Sequence, residues 1–329
     1  MKKVKWGILS TAKIAREHVM PGMQAGKYCD ISAIASRDLA KAQEFAKIFS
    51  IPKAYGSYEE LLADPAIQAI YNPLPNHLHV PWSIKAAEAG KHILCEKPLG
   101  LNATDAEKLV KVCRQKKVVL MEAFMYRTHP QWVRAKQYVE EGKIGELKAI
   151  QVFFSYTNLD PNNIRNRSDI AGGGGLMDIG CYPISQSRFI FGREPTRGLA
   201  LINRDPAWKI DTLSSAILDF GTGHATFTCS TQLFPYQRVN MIGTKGRLEI
   251  EIPNNAPEHG PTRMFYETAN GIETISIDTC HQYQIECDLF SKAILEGSPL
   301  PTPPEDAIAN MKVIDALFRS EKSETWELV

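Results

Sequence analysis

The first 123 residues alternate short apolar runs with helical stretches, and this alternation restricts the fold more than any other feature of the chain. Val4–Leu9, Cys29–Ala35, Ala54–Tyr55, Ile67–Tyr71, His92–Cys95 and Val118–Glu122 read as strands, short and rich in apolar residues. Between them lie a helical stretch ending at Met23 and helices over Leu39–Ile48, Tyr58–Ala63, Val80–Ala89 and Ala103–Lys116. Ser57, with Glu60 three residues on, has the form of a capping box for the helix at Tyr58. Apolar strands separated by helices pair in parallel, because each crossover returns the chain to the same end of the sheet. The expected product is a doubly wound sheet whose ligands bind outside the carboxyl ends of its strands.

Those ends carry the chemistry. After the first strand a dinucleotide fingerprint would read GxGxxG; here the three positions hold Ser10, Ala12 and Ala15. Small residues keep the close approach that glycines permit, but a Cβ narrows the backbone options, and matched strictly the motif is absent. Ser36, Arg37 and Asp38 follow the second strand. A hydroxyl and a guanidinium suit a 2′-phosphate, through the fork that arginine offers to phosphate, and this reads as a preference for NADP. The same loop equally suits helix capping, with Asp38 as N-cap of Leu39–Ile48. The fourth strand runs into N-P-L-P-N-H-L-H, where Pro73 and Pro75 stop the strand and hold a loop open, and His79 either touches a ligand or holds the loop. The fifth ends at Glu96–Lys97–Pro98. Proline lacks an N–H and biases Lys97 to extended geometry, so the lysine stands at the carboxyl edge. Read locally, the pair is equally two solvated charges at a turn.

From Phe124 the texture changes. Gln131–Glu141 is an amphipathic helix ended by Gly142, and Leu147–Tyr156 alternates as a strand does. Extended runs follow at Arg197–Asn203, Thr212–Phe220, Gly223–Leu233, Arg238–Ile242, Gly246–Ile252, Arg263–Glu267 and Gly271–Ile277, with a hairpin turn at Gly243–Gly246. Strands joined by short turns form a large, mainly antiparallel sheet, and its apolar positions suit a homodimer or homotetramer formed through a sheet face. Gln282–Leu295 and Pro304–Arg319 read as closing helices. A chain of 329 residues exceeds what one core usually fills, so the division expected is 1–123 and 124–329.

Within the second half, Gly172–Gly175 is unfit for strand or helix and suggests close approach to another backbone or a ligand. Asp178 and Tyr182, four residues apart, fall on one face of the helix that follows, with Pro183 in its first turn. A phenol and a carboxylate can handle a proton and orient a hydroxyl; they also fit a core tyrosine and an acid near a helix N-terminus.

Taken together, Glu96–Lys97–Pro98, Pro75–Asn76 with His79, and Gly172–Gly175 with Asp178 and Tyr182 resemble the Gfo/Idh/MocA family of nicotinamide-dependent oxidoreductases. The texture of WGILSTAKIA, SRDLAKAQEFA, LCEKPLG and MEAFMYRTHP is most similar to the branch holding dimeric dihydrodiol dehydrogenase, NADP-dependent D-xylose dehydrogenase and glucose–fructose oxidoreductase. The resemblance implies an N-terminal Rossmann domain followed by a domain with a large, mainly antiparallel open-faced sheet flanked by helices. It implies hydride transfer with NADP, or NAD, at a CH–OH or C=O carbon of a sugar, cyclic polyol or trans-diol. Lys97, Tyr182 and Asp178 would be the catalytic set, with Pro98 after a cis peptide bond. Ser10, Thr11, Ala12, Ile14, Ser36, Arg37, Pro73, Leu74, Asn76, His79, Glu96 and Lys97 would face the cofactor. His281, Tyr283, Arg165, Arg167 and Trp208 are further candidates for the substrate side. A cofactor-binding regulator and a cofactor-recycling glycosidase are the rival readings.

Composition sets the surroundings. A formal charge of +1 gives no electrostatic case for nucleic acid or an anionic membrane. No apolar run is long enough for a spanning helix, and no secretory leader is evident. Seven scattered cysteines form no disulfide framework and no metal-ligand spacing, so a reduced, cytoplasmic, metal-free protein is expected.

Overall fold

A computed structural model of the chain describes residues 2–167 and 172–329. Ser168–Ala171, which lead into the glycine run, lie outside the described residues. The chain forms two compact units, Met1–Thr128 with His281–Ile308 and His129–Cys280 with Ala309–Val329.

In the first unit six parallel strands are ordered β3-β2-β1-β4-β5-β6. They are β1 (Val4–Leu9), β2 (Cys29–Ala35), β3 (Lys53–Tyr55), β4 (Ala69–Asn72), β5 (His92–Glu96) and β6 (Leu120–Ala123). The order reverses at β1, which pairs with β2 on one side and β4 on the other, so the crevice expected of a doubly wound sheet opens at their carboxyl ends. Helices α1 (Met20–Ala25), α2 (Leu39–Ile48), α3 (Tyr58–Ala63), α4 (Asn76–Glu88) and α5 (Ala103–Lys116) are the crossovers. A wider, π-helical turn at Ala15–Val19 precedes α1, whose Pro21 has no N–H to give an α-helical ladder. Helix α4 starts at Asn76, earlier than the sequence suggests, with Pro75 at its N-cap and Pro81 inside the helix, where one N–H of the ladder is missing.

Trp6 on β1 has no exposed surface, and burying such a side chain contributes about 3 kcal/mol. Its indole N–H donates to Ser291 Oγ at 3.1 Å and its ring lies 5.5 Å from that of Phe290. Both partners come from the helix Gln282–Glu296, which the sequence places with the second half. Asp288 of the same helix accepts the Tyr28 and Lys27 amides at 2.8 and 3.0 Å. A Cβ on Gly22 would stand 2.8 Å from Gln284 N, so glycine is what lets the helix close on the first crossover. This helix therefore completes the first unit.

The second unit contains α6 (Pro130–Glu140), β7 (Leu147–Thr157), α7 (Cys181–Phe191) and the strands β8 (Arg197–Arg204), β9 (Asp211–Asp219), β10 (His224–Ser230), β11 (Gln232–Gly243), β12 (Gly246–Ile250), β13 (Thr262–Thr268) and β14 (Gly271–Ile277). The helix Gln282–Glu296 is α8 in chain order; α9 (Pro304–Ser323) and β15 (Glu327–Leu328) end the chain. The nine strands run β14-β13-β12-β11-β7-β10-β9-β8-β15, antiparallel throughout except for β7 with β10. The β11–β12 hairpin turns at Gly243–Gly246 as its sequence requires. Strand β7 shows the two faces: Ile150, Val152 and Phe154 are buried, with Phe154 edge-on to Tyr182 of α7, whereas Gln151 is exposed. Leu201 on β8 is 73% exposed, and an open groove of about 880 Å³ crosses that part of the sheet. All seven cysteines are free thiols.

Candidate functional site

At the carboxyl end of β1, Ser10 adopts φ +77°, a left-handed conformation that L-residues rarely take. Its amide is held by Ala35 O at the end of β2, at 2.8 Å. Its hydroxyl is buried and has no hydrogen-bond partner. An orphaned hydroxyl beside a helical N-terminus fits an anionic pyrophosphate, which would satisfy it. Thr11, Ala12 and Ile14 are half-buried in the same turn.

At the end of β2, Asp38 caps α2 by accepting the Ala40 and Lys41 amides at 3.0 and 3.3 Å, and Ser36 Oγ accepts the Asp38 amide at 3.2 Å. Capping therefore falls to Asp38 and leaves Arg37 exposed. The guanidinium lies beside the Tyr58 phenol, whose pKa burial pushes up and Arg37 draws partly back.

The loop after β4 is tied to the loop after β5 through His79. Its Nδ1 is 2.8 Å from Pro98 O and its Nε2 is 2.6 Å from Leu74 O. Burial pulls its pKa down to about 4, so the neutral ring donates to one carbonyl at a time. Asn72 reinforces the loop, accepting the Leu74 amide at 3.3 Å and donating to Ser83 Oγ and His79 O. Pro73 and Leu74 are buried, and Asn76 is half-buried at the start of α4. Beyond β5, Glu96 accepts the Tyr71 hydroxyl at 2.6 Å on one oxygen and the Lys97 amide at 3.3 Å on the other. Lys97 is half-buried, and its peptide bond to Pro98 is cis. Its positive charge contributes to holding His79 neutral.

In the second unit a π-helical turn at Leu176–Gly180 leads into α7, so helical backbone begins before Pro183, which falls in the first turn of α7 itself. The turn is capped from β9: Asp211 Oδ2 accepts the Leu176 amide at 2.5 Å. Burial raises the Asp211 pKa, and that amide opposes the shift. A Cβ on Gly174, at φ +102°, would stand 1.9 Å from Asp211 Oδ1, and one on Gly173 would stand 2.4 Å from Arg167 O. The glycine run makes close approaches to its own chain. Asp178 and Tyr182 are both buried. Asp178 accepts the Tyr156 hydroxyl at 2.5 Å and Arg165 Nε at 2.8 Å.

The first unit thus gathers Ser10–Ile14, Ser36, Arg37, Pro73, Leu74, Asn76, His79, Glu96 and Lys97 at one edge of one sheet. The second gathers Asp178, Tyr182 and Arg165 about the start of one helix. Tyr283 lies in the first unit, stacked on His18 with ring centroids 5.3 Å apart, and His281 lies edge-on to it. Arg167 and Trp208 lie in the second unit. Two residues escape a reading of the sequence: Tyr71 and Tyr156. Each is a phenol at the end of an apolar strand and shares a face with core residues, a pattern that signals packing unless its partner acid is known. Among the described residues no three His, Cys, Asp or Glu side chains form a group that could hold a metal ion, and no helix is long and apolar enough to cross a membrane.

Residues 4–124 match a family described as an oxidoreductase family with an NAD-binding Rossmann fold, and residues 132–249 match the GFO/IDH/MocA C-terminal domain. The chain is 43% identical over 335 positions to an uncharacterized oxidoreductase of Rhizobium meliloti, covering 100% of each. It is 37% identical over 322 positions to D-xylose 1-dehydrogenase (NADP(+)) 2 of Haloferax volcanii, covering 97% of each. The crystal structure of a 3-ketoreductase from Actinomadura kijaniata in complex with NADP and TDP-benzene matches with a TM-score of 0.91 at 28% identity, over 97% of this chain and 98% of that one.

Proposed function

The chain belongs to the Gfo/Idh/MocA family of NAD(P)-dependent oxidoreductases, and from that premise we propose that it interconverts CH–OH and C=O at a carbon of a sugar, cyclic polyol or trans-diol with NADP(H), NAD(H) being the weaker partner. The observation that carries this reading is the shared edge of the six-stranded sheet, where an orphaned Ser10 hydroxyl, an exposed Arg37 and a half-buried Lys97 stand at the ends of β1, β2 and β5. NADP(H), when bound, supplies or accepts the hydride.

Ser10 and the amides of the turn to Ile14 would hold the pyrophosphate, Ser36 and Arg37 the 2′-phosphate, and Pro73, Leu74 and Asn76 the flank of the cofactor. His79 and Glu96 would keep the loops in place, His79 by its ties to Leu74 and Pro98 and Glu96 by its bonds to Tyr71 and the Lys97 amide. Lys97 would stabilise the developing alkoxide, or polarise the carbonyl in reverse. Tyr182 would take the hydroxyl proton in oxidation and return it in reduction. Asp178 would hold a second substrate hydroxyl, which selects against substrates lacking one.

The open face of the nine-stranded sheet supports assembly through that face into a dimer or tetramer. Leu201 at 73% exposure, Ile217 at 38% and Tyr236 at 47% are apolar or aromatic surface on three of its strands.

The test is nicotinamide absorbance with both cofactors against aldoses, inositols, trans-diols, 1,5-anhydrofructose and diketones. Net NADP⁺ reduction or NADPH oxidation with at least one of these is expected. Cofactor binding without turnover would favour a regulator, and release of an aglycone without net redox would favour a glycosidase.

A further inference from the structure

Asp178 is not an isolated acid. We propose that Tyr156 and Arg165 form a clamp that fixes the Asp178 carboxylate, and that they are specificity-determining positioning residues for the substrate hydroxyl this acid reads. The proposal rests on the reading of Asp178 given above and adds the two residues that make it selective.

The geometry is local to the second unit. Tyr156 is near the end of β7, on the same strand face as Phe154, which packs edge-on against Tyr182 with ring centroids 5.7 Å apart. Its hydroxyl donates to Asp178 Oδ2 at 2.5 Å, while Arg165 Nε donates to Oδ1 at 2.8 Å. With a donor on each oxygen, the carboxylate cannot rotate without breaking a charge-assisted bond. Burial and the Asp178 charge push the Tyr156 pKa up, so the phenol remains a donor across the working pH range.

The glycine run explains why Arg165 is available for this task. Gly174 N donates to Arg165 O at 2.9 Å. A Cβ on Gly173 would stand 2.7 Å from that same carbonyl, so only glycine lets the two backbones lie this close. Asn163 caps the short turn at Ile164–Asn166 by accepting the Arg165 amide at 3.0 Å. The Arg165 backbone is thus held from both sides, while its side chain remains 44% exposed and reaches the acid. The Gly172–Gly175 stretch, from which no cofactor role need be drawn, seats the arginine half of the clamp.

A clamped carboxylate discriminates more sharply than a mobile one. A substrate hydroxyl that meets it gains a bond to an acceptor already oriented, whereas a deoxy analogue gains none. Loosening the clamp should therefore cost the hydroxylated substrate and spare its deoxy counterpart.

The experiment takes the substrate with the highest kcat/KM in the cofactor screen and its analogue lacking the hydroxyl next to the reacting carbon. The ratio of their kcat/KM values is measured for the full-length wild type and for Asp178→Asn, Tyr156→Phe, Arg165→Ala and Arg165→Lys. We expect Tyr156→Phe and Arg165→Ala each to lower the ratio roughly 10-fold, mostly through KM for the hydroxylated substrate. Turnover of the deoxy analogue and the NADPH Kd should stay within about 2-fold, a pattern that general damage to the fold would not leave intact. Arg165→Lys should restore part of the ratio, because an ammonium keeps the charge and loses the fork. If Asp178→Asn collapses the ratio while Tyr156→Phe and Arg165→Ala leave it at the wild-type value, the clamp is wrong and the Asp178 reading survives. If Asp178→Asn itself leaves the ratio unchanged, the acid reads no hydroxyl and both fall. Should Tyr156→Phe fail to fold, the half-exposed Arg165 carries the comparison alone.

Discussion

At the scale of single residues, the nucleotide edge works by assigning one task to each side chain. Asp38 takes the helix cap and Arg37 is exposed beside it, in keeping with the 2′-phosphate role proposed for it. The sequence leaves capping and phosphate binding open because Arg37 and Asp38 are adjacent, and only the bonds at Ala40 and Lys41 separate them. Removing the guanidinium should therefore cost the cofactor with a 2′-phosphate and leave the other nearly untouched. For Arg37→Ala we expect the NADPH Kd to rise at least 10-fold, on the order of 1.4 kcal/mol, with the NADH Kd changed less than about 2-fold. Titration of both reduced cofactors by fluorescence checks this, and equal changes would refute the phosphate role. His79 shows the limit of reading residues singly. Its position after Pro73 and Pro75 suggests either a ligand contact or a strut, and its two carbonyl neighbours, Leu74 and Pro98, tie it to both loops.

At the scale of elements, periodicity locates most helices and strands to within a few residues, since Leu39–Ile48 and Ala103–Lys116 end where their caps and apolar faces end. It fails where the constraint is long-range. The sequence of α8 gives no sign that it covers β1 rather than the second sheet; that is decided by Trp6 meeting Ser291 and Phe290 and by Gly22 leaving room for Gln284. The glycine run is legible as a close approach, but its partners, Asp211 and the Arg165–Arg167 backbone, lie far away in sequence or in an irregular loop. The Asp211 cap at Leu176 ties the start of the Tyr182 helix to β9, and Gly174 is the residue that permits it. Gly174→Ala should destabilise the protein by roughly 3 kcal/mol through overlap with Asp211 and left-handed strain, whereas Gly260→Ala, with open space around it, should be neutral. Thermal melts of the two variants test the pair; equal melting temperatures would show that the 174 position relaxes at no cost.

For the molecule as a whole, fold class is readable because the strand–helix rhythm allows few alternatives, and the reaction class because Glu96–Lys97–Pro98 occurs together with Pro75–Asn76, His79, Asp178 and Tyr182, a set that no one stretch carries alone. The boundary was less readable, because His281–Ile308 returns to the first unit after the chain has built the second. The open sheet face is an expectation of apolar strand positions that the exposed Leu201 and Ile217 give a location. If assembly uses that face, Leu201→Asp should shift the species seen by light scattering towards the monomer at micromolar concentration without changing the NADPH Kd. An unchanged mass for this variant, with the wild type oligomeric, would move the interface elsewhere.

The central claim is that Lys97 acts on the reacting carbon and is not merely a charge at a strand end. Steady-state kinetics of Lys97→Met, with the NADPH Kd measured alongside, tests it most directly. The expected result is a fall in kcat of about 100-fold or more with the NADPH Kd within about 3-fold of wild type; a variant that binds NADPH and turns over at the wild-type kcat would contradict it.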